Sequence, residues 1–69
     1  MKDYTVALLD SEGFEITSEL AGSLAQAKKA AKYLISDDFA KSAETTREAM
    51  GAYKAEVTVD GECVWDVFA

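Results

Sequence analysis

Histidine is absent from the 69 residues, cysteine occurs once, and seven basic residues face thirteen acidic ones. Without histidine the commonest general base is missing, which excludes nucleophilic triads and Cys/His metal sites. The single Cys63 has no partner for an internal disulfide, so the domain is expected to hold without covalent staples in a reducing compartment. No two glycines lie closer than nine residues, so there is no glycine-rich phosphate loop. Long apolar runs are missing too. After Lys2 the apolar stretch Thr5 to Leu9 is too short for a signal-peptide core or a membrane span, and neither export nor membrane embedding is expected. Asp10, Glu12 and Glu15 lack the spacing of a calcium loop. A chain this short also offers little room for a pocket that two carboxylates could use on a sugar. No enzyme activity, catalytic residue, cofactor or metal is expected.

What is present suffices for a small core. The hydrophobic fraction of 49% marks a globular chain, and its length allows one domain, residues 1–69. Tyr4, Val6 and Leu8 alternate with Thr5, Ala7 and Leu9, and beyond Asp10-Ser11-Glu12-Gly13 the residues Phe14 and Ile16 alternate with Glu15 and Thr17. With Ser11-Glu12-Gly13 as a three-residue loop and Gly13 left-handed, Leu8 is expected opposite Ile16, Val6 opposite Ser18 and Tyr4 opposite Leu20, all on one face. Ser23 followed by Gln26 forms a capping box, and Leu24, Ala27, Ala31, Leu34 and Ile35 recur at helical spacing, which predicts a helix over about 24–35. Ser36 with Asp37 and Asp38 caps a second helix, whose end is placed near Glu44 or at Met50 before Gly51.

For the last hairpin, a three-residue loop Val59-Asp60-Gly61 pairs Val57 with Cys63, Ala55 with Trp65 and Tyr53 with Val67, and leaves Lys54 opposite Asp66 outside. This register is preferred over a two-residue Asp60-Gly61 turn, which mixes polar and apolar residues on both faces. It makes Cys63, Tyr53 and Trp65 core residues and leaves Val64 and Phe68 outside. The expected architecture is α+β, in the order β-β-α-α-β-β, with a four-stranded antiparallel sheet and the helices packed on one face.

Charge is unevenly placed. Residues 10–19 hold Asp10, Glu12, Glu15 and Glu19 and no base, and residues 56–66 hold Glu56, Asp60, Glu62 and Asp66 and no base, whereas Lys28, Lys29 and Lys32 make the first helix basic. The net charge of −6 argues against direct binding of nucleic acid or anionic lipid. Rows of strand carboxylates such as Glu15 with Glu19, or Glu56 opposite Asp66, would imitate a phosphate backbone, which carries one charge per about 3.4 Å of each strand. The plainer expectation is that these carboxylates keep a small domain soluble and its sheet edges unpaired.

The segments SLAQAKKAAKYL, residues 23–34, and KAEVTVDGECVWDVF, residues 54–68, resemble small proteins carried by phages and mobile elements of proteobacteria. Among these the size, acidity and lack of catalytic residues are similar to phage-encoded anti-CRISPR proteins, notably acidic inhibitors of type I-C CRISPR-Cas that mimic double-stranded DNA. The resemblance implies a stoichiometric inhibitor in the cytoplasm of the bacterial host. Its partner would be the subunit of a type I Cascade surveillance complex that reads the short motif flanking the DNA target. The class has no shared functional motif, so the candidate partner-binding residues rest on charge placement: Asp10, Glu12, Glu15, Glu19, Glu56, Asp60, Glu62 and Asp66. A monomer is expected. The alternative is a small interaction or regulatory module that contacts a partner or itself through Val64 and Phe68.

Overall fold

Alternation in the first strand sets the architecture. In the computed structural model, which describes residues 3–69, β1 (Tyr4–Leu9) buries Val6 and Leu8 completely, and Thr5, Ala7 and Leu9 point the other way. Met1 and Lys2 lie outside the described residues. The chain continues through β2 (Glu15–Ala21), three helices, α1 (Leu24–Leu34), α2 (Asp37–Ser42) and α3 (Arg47–Met50), and then β3 (Lys54–Val59) and β4 (Glu62–Phe68). The strands form one antiparallel sheet in the order β2-β1-β3-β4. The expected α+β class is therefore found, with three helices in place of two.

The Ser23 hydroxyl caps α1 by accepting from the Gln26 N–H at 3.2 Å. Ala27, Ala31 and Leu34, one stripe of this helix, are buried against β1 and β3. The small alanines let the helix lie close to the sheet. Four of the nine buried apolar residues are alanines, so Val6, Leu8, Leu34, Ile35 and Val57 supply most of the buried area, each fully buried side chain contributing about 1.5–3 kcal/mol.

The second helix ends at Ser42, by the nearer of its two expected ends. Glu44 takes a left-handed φ of 59°, and the Thr45 and Glu44 N–H groups donate back to the carbonyls of Ala40 and Lys41, a closure that satisfies the last turn. Thr46 then starts a new helix: its hydroxyl accepts from the Ala49 N–H at 3.1 Å. Gly51, at φ 81°, ends α3. Arg47 fastens this short helix to the rest, donating from Nε to Asp37 at 2.9 Å and from Nη1 to the Ile35 carbonyl at 3.2 Å.

Each hairpin carries one extra residue in its outer strand, and these two bulges correct both expected registers. The first loop is built as foreseen, with Gly13 at φ 87° and the Asp10 carboxylate accepting from the N–H groups of Glu12 and Phe14 at 2.9 Å. The ladder then slips between Leu8 and Leu9, so that Leu8 faces Thr17, Val6 faces Glu19 and Tyr4 faces Ala21. Ile16 is the supernumerary residue and still packs on the core, and Leu20 is turned outward. In the second hairpin the turn is the two-residue Asp60-Gly61, both at positive φ, with Val59 facing Glu62. A slip between Val57 and Thr58 follows, which makes Val64 the extra residue and restores Trp65 and Val67 to the side of Val57 and Ala55. The two-residue turn and an unmixed inner face are thus compatible once a bulge is admitted.

Candidate functional site

The helices cover one face of the sheet. On the other, three rows of four side chains cross it from β2 to β4. Nearest the Asp60-Gly61 turn stand Leu20, Thr5, Thr58 and Cys63. The middle row is Ser18, Ala7, Glu56 and Asp66, and the row nearest the Gly13 turn is Glu15, Leu9, Lys54 and Phe68. An antiparallel sheet with one solvated face ordinarily shows polar side chains there. Here Leu20 is 72% exposed and Phe68 54%.

Cys63 is exposed on this outer face, which corrects its expected place in the core: the slip at Val57/Thr58 sets it opposite the outward Thr58, where its thiol donates to the Trp65 carbonyl at 3.6 Å. Tyr53 is likewise outside the core. It precedes β3, bonds through its N–H to the Leu9 carbonyl, and sets its ring edge against Phe68 at 5.3 Å. Trp65 keeps to the helix side, half-buried, with the Lys28 ammonium 5.7 Å from its ring centre.

The eight candidate carboxylates fall into separate groups. Because β3 runs antiparallel to β1, the two turns lie at opposite ends of the sheet, with Asp10 and Glu12 at one and Asp60 and Glu62 at the other. Glu56 and Asp66 face each other across β3 and β4, which gives the carboxylate pair but corrects the preferred register: Lys54, expected opposite Asp66, faces Phe68. Glu15 and Glu19 do not form a row: the bulge at Ile16 puts Glu15 with Leu9 on the open face and Glu19 with Val6 on the helix side, at the edge of the sheet and exposed.

Glu56, Asp66 and Cys63 bring two carboxylates and a thiol within 4.8 Å of one another, the one such trio of donors found among the described residues. Lys54 already supplies a cation there, its Nζ 2.8 Å from Glu56 Oε1. The hydrogen bond to Glu56 holds the Lys54 ammonium above its ordinary pKa of 10.5 against the opposing effect of desolvation, and the charges of Glu56, Asp66 and Cys63 add to the rise. The same ammonium sits 5.8 Å from the Phe68 ring centre. Lys54 therefore joins the aromatic corner to the acidic centre of the face, a part in the site that charge counting missed. Its alternation with Glu56 outside Ala55 and Val57 was the available signal.

Between α2 and α3 a shallow hollow of about 230 Å³ is lined by Asp37, Thr46, Arg47 and Glu48, and the Arg47–Asp37 pair already fills its structural role. No helix among the described residues is long and apolar enough to cross a membrane. No family model, curated protein or solved structure matches this chain.

Proposed function

We propose that this protein is a stoichiometric inhibitor of a type I CRISPR-Cas surveillance complex, working in the cytoplasm of the bacterial host as an acidic mimic of double-stranded DNA. One observation carries the reading. The excess of negative charge belongs to the sheet layer, whose hairpins hold eight carboxylates against Lys54 among the described residues, and no charged side chain among these residues is buried. The helical segment holds Lys28, Lys29, Lys32, Lys41 and Arg47 against four acids and is close to neutral. A partner with a groove built to neutralise phosphates would be drawn to the sheet side and its ends. Because the acids lie in separate groups, the mimicry is one of discrete phosphate positions, not of a continuous backbone.

The test is competition. The purified protein is titrated against a type I-C surveillance complex and target DNA at low and high salt. Displacement of DNA that weakens with salt supports the reading, and so does its loss on reversing charges at both turns and at Glu56 and Asp66 together. Absence of binding at low salt overturns it, as does inhibition that survives the full reversal. The second reading, an interaction module without mimicry, is favoured by the exposure of Val64 and Phe68. It requires binding that is indifferent to salt.

A further inference from the structure

We infer that the uncovered face of the sheet is the surface that seats on the partner, and that this partner is a protein presenting an apolar patch rimmed by basic side chains; the inference rests on the functional reading above. Leu20 is the first argument. Regular pairing from the Gly13 loop would have turned it toward the helices, and the bulge at Ile16 turns it out to 72% exposure while Glu19 takes the helix side. A strand that sends its leucine to water and gives the helix side to an exposed glutamate and the small Ala21 breaks the local pattern, and such breaks are where function can override folding.

Leu20 is not alone. At the opposite corner Phe68 and Tyr53 meet edge to face, both about half exposed, with Leu9 beside them in the same row as Phe68. Glu15, Glu56 and Asp66 lie on the same face against the single base Lys54, so the face is apolar at two corners and anionic between and beside them. Aromatic anchors bordered by charges are the makings of a contact whose centre binds and whose rim steers.

Charge and area select the occupant. With strands about 4.8 Å apart and same-face residues about 7 Å apart, the grid covers roughly 400 Å², about half of the ~800 Å² per partner of a standard interface. A second copy stacked on this face would bring a chain of net charge −6 onto another, with Glu56 and Asp66 opposed by carboxylates and too little area to offset them. A basic partner meets complementary charge, and its contact can extend around either edge to the acidic turns.

The experiment compares two variants with the unaltered protein for binding to the type I-C surveillance complex, after circular dichroism and urea unfolding show that both are folded. The face variant, L20S with F68S, keeps every carboxylate. The turn variant, E12K with E62K, keeps the face. The face variant is expected to weaken binding at least about tenfold at low and high salt alike, through faster dissociation. The turn variant is expected to slow association and reduce the salt dependence. Binding of the face variant within twofold of the unaltered protein overturns the inference and leaves the functional reading standing. A homodimer in sedimentation that L20S with F68S disperses also overturns it, since a second copy is then the occupant. No binding by the unaltered protein overturns the functional reading, and this inference with it.

Discussion

The two hairpins share a plan and differ in what it achieves. Each turns on a glycine at positive φ, each holds four of the candidate carboxylates, and each places one extra residue in its edge strand. In the second hairpin the extra Val64 mends the pattern, bringing Trp65 and Val67 inside and leaving Asp66 and Phe68 outside. In the first, the extra Ile16 undoes a pattern that was already sound, exposing Leu20 and turning Glu19 toward the helices. The small Ala21 then takes the last inner position, where the chain passes through Gly22 into the cap of α1. The same device thus serves packing in one hairpin and presents a surface in the other. Both bulges also spoil the flat edges of β2 and β4, where another chain could pair.

The comparison breaks most visibly on leucine. L8A empties a site buried on all sides and should cost about 2–5 kcal/mol, enough to unfold much of so small a domain, whereas L20A should stay within about 0.5 kcal/mol by urea unfolding. Equal costs would mean that Leu20 is packed and that the first register is wrong. Next in size is G61A. A Cβ there meets nothing within 4 Å, so the loss of about 1 kcal/mol should come from φ alone, with G13A matching it because the two turns demand the same left-handed residue.

A smaller effect tests the Lys54–Glu56 pair. Its raised pKa means that the stabilisation is complete below 10.5 and is lost as pH rises through the folded-state value, so melting temperature should fall more steeply in that alkaline range for the unaltered protein than for E56Q. Smallest of all is C63S, within about 0.5 kcal/mol, and the native thiol should react with an aromatic disulfide reagent as fully as in the unfolded chain. A protected thiol would return Cys63 to the core and cancel the second bulge.

Residue types announce turns and caps, and several were legible, though not the length of the Asp60-Gly61 turn or the cap at Thr46. Gly13, Ser23 with Gln26, and Ser36 stand where the sequence puts them, because each acts through its own side chain or its own freedom of φ. The bulges were not legible. A bulge has no residue signature at Ile16 or Val64; it is settled by which side chains the helix layer will accept, a property of the assembled fold. The end of α2 near Glu44 was legible as one of two alternatives, but its left-handed backbone was not, since a left-handed glutamate at a helix end looks like any helical glutamate. The acidic residues could be counted in advance, but their sides follow from the bulges and their ends from the antiparallel pairing of β1 with β3. Charge was therefore readable and its geometry was not.

The strand order has a kinetic consequence. Each hairpin closes locally, on the order of microseconds, while the central seam joins Leu9 to Lys54 across the whole helical segment and must wait for α1 to pack. That seam is the one long-range commitment in the sheet, so the rate of folding should answer to Val6 and Val57, which face each other across it, and hardly at all to the edge strands that carry Leu20 and Phe68. Once folded, the amides of β1 and β3 should exchange with solvent last. The edge strands that hold Leu20 and Phe68 are then free to loosen and reseat without unmaking the molecule.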